Sequence, residues 1–168
     1  MTHRRVSQAR GWWFAACAGL ALAGGIGAGV FAQQAGGGAR QVFNPPGVSA
    51  LVPQYSLAVR HGNLVFVAGM TGVDPKTQQI VPGGIGPETR QTLENMKSIL
   101  EAAGATLADV AECTVFLVDM RDYAGMNEAY GKYFTKDPPA RATVGVTSLP
   151  RLAARVEIKC SAVVGEGR

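Results

Sequence analysis

Two ionised side chains stand inside otherwise strand-like runs of this 168-residue chain, Arg141 in PPARATVGV and Glu157 in RVEIKCSAV. A guanidinium presents a planar fork that holds a carboxylate bidentately, and a glutamate can hold or activate a water molecule. Side by side, the two suit the hydrolysis of a small carboxylate-bearing substrate. The same residue types also fit a salt bridge between them, or charges solvated at a sheet edge. Other chemistries lack their parts. Of two histidines, His3 lies in the first residues and His61 in a turn, so a Ser-His-acid arrangement has no base but a lone turn histidine. No His, Cys and carboxylate cluster has metal-ligand spacing, so no metal is expected. The run Pro82-Gly83-Gly84-Ile85-Gly86 matches neither the GxGxxG nor the P-loop pattern.

The elements that must position Arg141 and Glu157 follow from periodicity. Residues 55–60 and 64–68 are predicted strands around the turn residues His61-Gly62-Asn63, hence a hairpin. A loop rich in glycine and proline spans residues 73–86. A helix follows, with Pro87 suited to its first position, Glu88 complementing its dipole and Gly104 ending it. Its apolar stripe is Leu93, Met96, Ile99, Leu100 and Ala103. Thr106 with Asp109 has the form of a capping box. Residues 113–118 form a strand, and Asp122 can cap a second helix with the stripe Tyr123, Met126, Tyr130 and Tyr133. Two strands close the chain, at 142–147 and 155–164. The order β-β-α-β-α-β-β is an α+β pattern, a mixed sheet with two helices on one face.

Strands 64–68 and 113–118 are apolar on both faces, whereas two helices cover only one. The uncovered face calls for another copy of the chain, so a homo-oligomer is expected. Alternation places Val156, Ile158 and Cys160 on one face of the last strand and Glu157, Lys159 and Ser161 on the other. If Val144 and Val146 also pack under the helices, Arg141, Thr143 and Glu157 all point to the face between copies. Cys113 and Cys160 read as packed, unpaired core thiols.

The amino-terminal composition differs from the rest. Residues 1–10 carry three arginines and no acid, and residues 11–32 carry no charge. That is the form of an export signal, with cleavage after Ala32 expected and a periplasmic or secreted product. An uncleaved membrane anchor fits 22 apolar residues too, although six are glycine. Arg4-Arg5 permits the twin-arginine as well as the general secretory route. The domain reading is 1–32 export signal, 33–50 flexible linker and 51–168 folded domain. The whole chain has 16 basic and 12 acidic residues, but three of the basic ones are in the leader, so residues 33–168 stand near neutrality. Nucleic acid is therefore disfavoured as a partner, because phosphate contacts need clustered cations.

From about Pro53 to Val164 the chain resembles the RidA/YjgF family of reactive-intermediate deaminases, through YSLAVRHGNLVFVAG, ETRQTLENMKSILEAAG, CTVFLVDMRDYAGMNEAYGKYF, PPARATVGV and RVEIKCSAV. The resemblance implies a chorismate-mutase-like α+β fold, a homotrimer with clefts between subunits, and hydrolysis of enamines or imines such as 2-aminoacrylate to a 2-keto acid and ammonia without a cofactor. It further implies that Arg141 grips the substrate carboxylate, Glu157 positions water, and Tyr55, Asn127, Thr143 and the backbone of Gly69 line the pocket. Each also has a plainer reading: Tyr55 as strand packing, Asn127 as a local cap, Gly69 as a turn residue. Gln54, Leu57 and Ala68 depart from the residues relatives commonly carry, and Ala68 removes a pocket hydroxyl. A non-catalytic carboxylate-binding trimer and, behind it, a ribonuclease are the rival functions.

Overall fold

The computed structural model describes residues 38–48 and 50–165. The export signal and its cleavage point lie outside the described residues. Among these residues no helix is long and apolar enough to cross a membrane.

Six strands form one sheet: β1 Gln41–Phe43, β2 Ala58–His61, β3 Leu64–Val67, β4 Val110–Leu117, β5 Ala140–Gly145 and β6 Val156–Val163. Their spatial order is β1-β2-β3-β6-β4-β5. Only β4 and β5 run parallel; the remaining pairs are antiparallel. Helix α1, Ile85–Ala102, crosses from β3 to β4, and α2, Tyr123–Tyr130, crosses from β4 to β5. The expected mixed sheet with two helices is thus observed, with one addition. The segment read as a flexible linker contributes β1, which pairs with β2 through Gln41 opposite Arg60 and Phe43 opposite Ala58.

Helix α1 buries Leu93, Met96, Ile99 and Leu100 completely against Val65, Val67, Val115, Ile158 and Cys160 of the sheet. Gly104, at φ +76°, ends it in the left-handed region that glycine enters without steric cost. The Arg60 guanidinium donates to the Ala103 carbonyl at 2.9 Å, supplying a cation at the helix's negative end. The capping box forms, with the Thr106 amide donating to Asp109 Oδ2 at 2.8 Å. Asp122 does not cap α2: its carboxylate instead receives Arg155 Nε and Nη2 at 2.8 and 3.0 Å. A bidentate arginine outcompetes a local amide for the same oxygens.

Cys113 and Cys160 are joined by a disulfide, contrary to the expected free thiols. They face each other across the β4–β6 ladder with Cα atoms 4.1 Å apart, both all but inaccessible to solvent. The pairing was hidden in the sequence because it depends on register, and a bulge between Val110 and Glu112 helps set that register.

The face of the sheet away from the helices stays open. Leu64, Phe66, Val144 and Val163 are each more than 40% exposed there. A soluble protein rarely leaves such a row of large apolar side chains uncovered.

Candidate functional site

The six predicted site residues fall into two groups. Glu157, Gly69 and Tyr55 line one cavity of about 550 Å³, whose other walls include Leu51, Val52, Met70 and Lys159. Arg141, Asn127 and Thr143 lie elsewhere, under the flank of α2.

The first group is built around the loop that follows β3. Met70 and Ile158 exchange backbone hydrogen bonds of 2.8 and 2.9 Å, which draws Gly69 against Glu157. A Cβ at position 69 would lie 2.6 Å from Glu157 Cδ, so the carboxylate occupies the space a side chain would need. Close approach, rather than turn conformation, requires glycine here. Helix α1 braces both partners. Asn95 Nδ2 donates to the Thr71 and Val73 carbonyls at 3.0 and 2.8 Å. The buried Glu88 carboxylate accepts the amides of Arg155 and Val156 at 2.8 and 3.2 Å, fixing the start of β6. Burial pushes the Glu88 carboxyl above its ordinary pKa, against the lowering effect of those two amides. Sequence reading took Glu88 only as a complement to the helix dipole. The pattern that would have revealed more, an acid five residues before the stripe's first leucine, is common to solvated helix starts.

Glu157 is half-buried, and desolvation alone raises its pKa. No hydrogen bond or ion pair holds its carboxylate among the described residues. Tyr55 sits at the rim, its hydroxyl accepting the Leu51 amide at 2.8 Å.

In the second group, Arg141 Nη2 donates to Asn127 Oδ1 at 2.6 Å. The guanidinium carbon stands 4.6 Å from the centre of the Tyr130 ring and 6.0 Å from that of Tyr123. These two tyrosines were read only as part of an apolar stripe. Cation–π contact holds the guanidinium plane without using up its N–H donors. Among the described residues neither Thr143 Oγ1 nor the Tyr130 hydroxyl has a hydrogen-bond partner, and both atoms are buried. Burial pushes the Tyr130 hydroxyl up to about 12, while Arg141 acts in the opposite sense.

Contrary to the expectation from the sequence, Arg141 and Glu157 do not share a face. The parallel register sets Arg141 beside Cys113 and Thr143 beside Val115, on the helix-covered side, and leaves Val144 exposed. Glu157 lies beside Phe116 on the open side. Strand β5 carries small or polar residues on both faces, so alternation alone could not tell which face turns inward. The sheet therefore separates the two charges within one chain. The salt-bridge reading falls with this, since among the described residues neither forms an ion pair. Each group opens where a second molecule can reach it, Arg141 on edge strand β5 and Glu157 on the uncovered face.

Comparison with known proteins gives a consistent result. A family model described as endoribonuclease L-PSP matches residues 48–164. The chain is 54% identical over 97 residues to a RutC family protein of Pyrococcus horikoshii, covering 58% of this chain and 77% of that one. It is 41% identical over 126 residues to the 2-iminobutanoate/2-iminopropanoate deaminase of Mus musculus, covering 75% and 93%. Its fold matches the crystal structure of E. coli TdcF with bound serine at a TM-score of 0.70 and 32% identity, covering 74% of this chain and 99% of that one.

Proposed function

We infer a function from one premise: the chain belongs to the RidA/YjgF family, whose family model is described as endoribonuclease L-PSP. Relatives near 40% identity carry the name 2-iminobutanoate/2-iminopropanoate deaminase. The reading supported best is hydrolysis of reactive enamine or imine acids of the 2-aminoacrylate type to a 2-keto acid and ammonia. One observation carries it. A half-buried arginine on edge strand β5 and a half-buried glutamate lining the 550 Å³ cavity each lack a counter-ion among the described residues.

The catalytic cleft in this reading is made by two copies of the chain, within a homotrimer. One copy offers Arg141 with Asn127 and Thr143; the next offers Glu157, Gly69 and Tyr55. The exposed row of Leu64, Phe66, Val144 and Val163 supports this packing by giving the copies an apolar contact. Arg141 takes the carboxylate of the imino acid in its free N–H fork. Glu157 accepts a proton from a water molecule as the water oxygen adds to the imine carbon. That proton passes to nitrogen to complete the carbinolamine, whose hydroxyl proton then moves to nitrogen as the C–N bond breaks, and ammonia leaves behind a keto acid. Orientation and acid–base help of roughly 10²–10⁴-fold are enough for so labile a substrate, and no cofactor enters the scheme.

Export to an oxidising compartment completes the reading. The leader composition supports it, and so does the buried disulfide, since such bonds persist where thiols are not kept reduced. The serine bound in TdcF supports the rival, a non-catalytic carboxylate binder of the same fold. The test is an assay of residues 33–168 on freshly generated 2-iminobutanoate, with Arg141→Ala alongside. Loss of acceleration with an intact oligomer is expected. Undiminished turnover in the variant defeats the assignment, and stabilisation by 2-oxobutanoate without any turnover favours the binder.

A further inference from the structure

Arg155 sits where α1, α2 and the start of β6 meet. Its amide and that of Val156 donate to Glu88 Oε1 at 2.8 and 3.2 Å, tying β6 to α1. Its guanidinium donates to both oxygens of Asp122, at 2.8 Å from Nε and 3.0 Å from Nη2. Asp122 makes no cap bond to α2's own amides, so this fork tethers the start of α2 to β6. Each arm leads to one half-site. On the backbone arm, Glu157 follows Arg155 by two residues. The loop that carries Gly69 packs on the same arm, because a Cβ at Gly72 would lie 2.5 Å from Glu88 Cγ. On the side-chain arm, α2 is only eight residues long, about two turns, so the placing of one end sets the other. It carries Asn127, whose Oδ1 accepts from Arg141 Nη2 at 2.6 Å, and Tyr130, whose ring centre lies 4.6 Å from the Arg141 guanidinium carbon.

We propose that Arg155 is a positioning residue for both half-sites: its backbone arm, through Glu88, sets the Glu157 carboxylate, and its side-chain arm, through Asp122, sets the Asn127 and Tyr130 contacts that aim Arg141. The proposal rests on the reading of Arg141 as carboxylate grip and Glu157 as water base. In that reading the two half-sites of one chain serve different clefts of the oligomer, so one residue sets the geometry of two clefts.

The two arms differ in what breaking them does. Glu88 is 1% exposed, so removing its acceptor leaves two amides without their partner and destabilises the fold as well as shifting β6. The Arg155 side chain is 48% exposed, so losing its ion pair with Asp122 costs little stability. Misplacement of about 1 Å is still enough to cost ~10²-fold in rate. The arms also act on different quantities. A misaimed Arg141 weakens substrate binding, whereas a misplaced Glu157 slows the addition of water.

The experiment measures kcat and KM on freshly generated 2-iminobutanoate for the wild-type oligomer, Arg155→Met, Glu88→Met and Glu88→Gln, with a thermal melt of each. Arg155→Met keeps the backbone arm and the aliphatic stem. It is expected to melt near the wild type and to raise KM about ten-fold, as for a charge-assisted hydrogen bond put out of line, with little change in kcat. Glu88→Met is expected to lower kcat by roughly ten- to a hundred-fold with little change in KM. Glu88→Gln, whose carbonyl accepts the same two amides, is expected to restore kcat. Wild-type kinetics in a folded Arg155→Met overturns the proposal. So does the same change in kcat and KM from both arms, which marks a general loosening. If Glu88→Met does not fold, the split read in Arg155→Met decides. Arg141→Ala runs alongside: a wild-type KM in that variant defeats the underlying reading of the site, and the proposal with it.

Discussion

Reducing the Cys113–Cys160 bond is expected to remove a large part of the fold's stability. The bond closes a loop with a sequence separation of 47. Loop-closure entropy for that length corresponds to about 4 kcal/mol at 25 °C. Both cysteines pack in the core cluster with Val115, Ile158 and Leu100. They also tie β4, which supports the Arg141 strand, to β6, which carries Glu157. The assay is urea denaturation of the oxidised and the fully reduced protein at one protein concentration, because oligomer stability follows mass action. With m-values of about 1–3 kcal/mol/M, the midpoint should fall by roughly 1.3–4 M on reduction. A kinetic arm follows from burial. A reductant cannot reach sulfurs that are 0% and 1% exposed, so thiol release in native buffer should be slow and should accelerate with denaturant. Matching midpoints for the two forms, with complete reduction verified by thiol titration, would refute the reasoning. Rapid thiol release from the still-folded protein would do the same.

Two further outcomes are expected at the Glu157 group. The Glu157 carboxyl must be ionised to take a proton from water, and desolvation raises its pKa above the ordinary 4.5, so the acid limb of kcat/KM should have its midpoint above pH 4.5. A folded-state value raised in this way contributes stability below the unfolded pKa that is lost as pH rises through the folded one. Glu157→Gln should therefore lower the rate by roughly 10²–10⁴-fold while leaving stability at neutral pH equal or higher; a variant melting well below the wild type contradicts this. Gly69→Ala places a methyl group 2.6 Å from Glu157 Cδ. Because Glu157 is only half-buried and can swing aside, the variant should keep its melting temperature within a few degrees and lose activity. Wild-type kcat/KM in Gly69→Ala would show that the carboxylate position does not matter.

The α1 stripe was legible because five apolar residues at helical spacing leave one way to bury them, and all five are buried. The doubly apolar strand 64–68 showed, before any coordinates, that one sheet face needs cover beyond two helices. The Thr106–Asp109 cap was legible because its hydrogen bonds span three residues. Short-range patterns of this kind carry their own geometry.

What escaped the sequence depends on pairings between distant segments. Strand β5 has no clear apolar face, so only its parallel register with β4 turns Arg141 toward α2 and away from Glu157. The same register logic brings Cys113 opposite Cys160. Arg155 draws the Asp122 carboxylate away from the helix it was expected to cap. Tyr123 and Tyr130 read as core stripe residues until the fold set Arg141 beside their rings. By itself the sequence determined the elements of the sheet and helices other than β1, the family they belong to and the two ionised residues that stand out. Tertiary structure alone decided that those two residues lie on opposite faces of one sheet, because side-chain direction in a strand is set by its partner's register and not by its own composition.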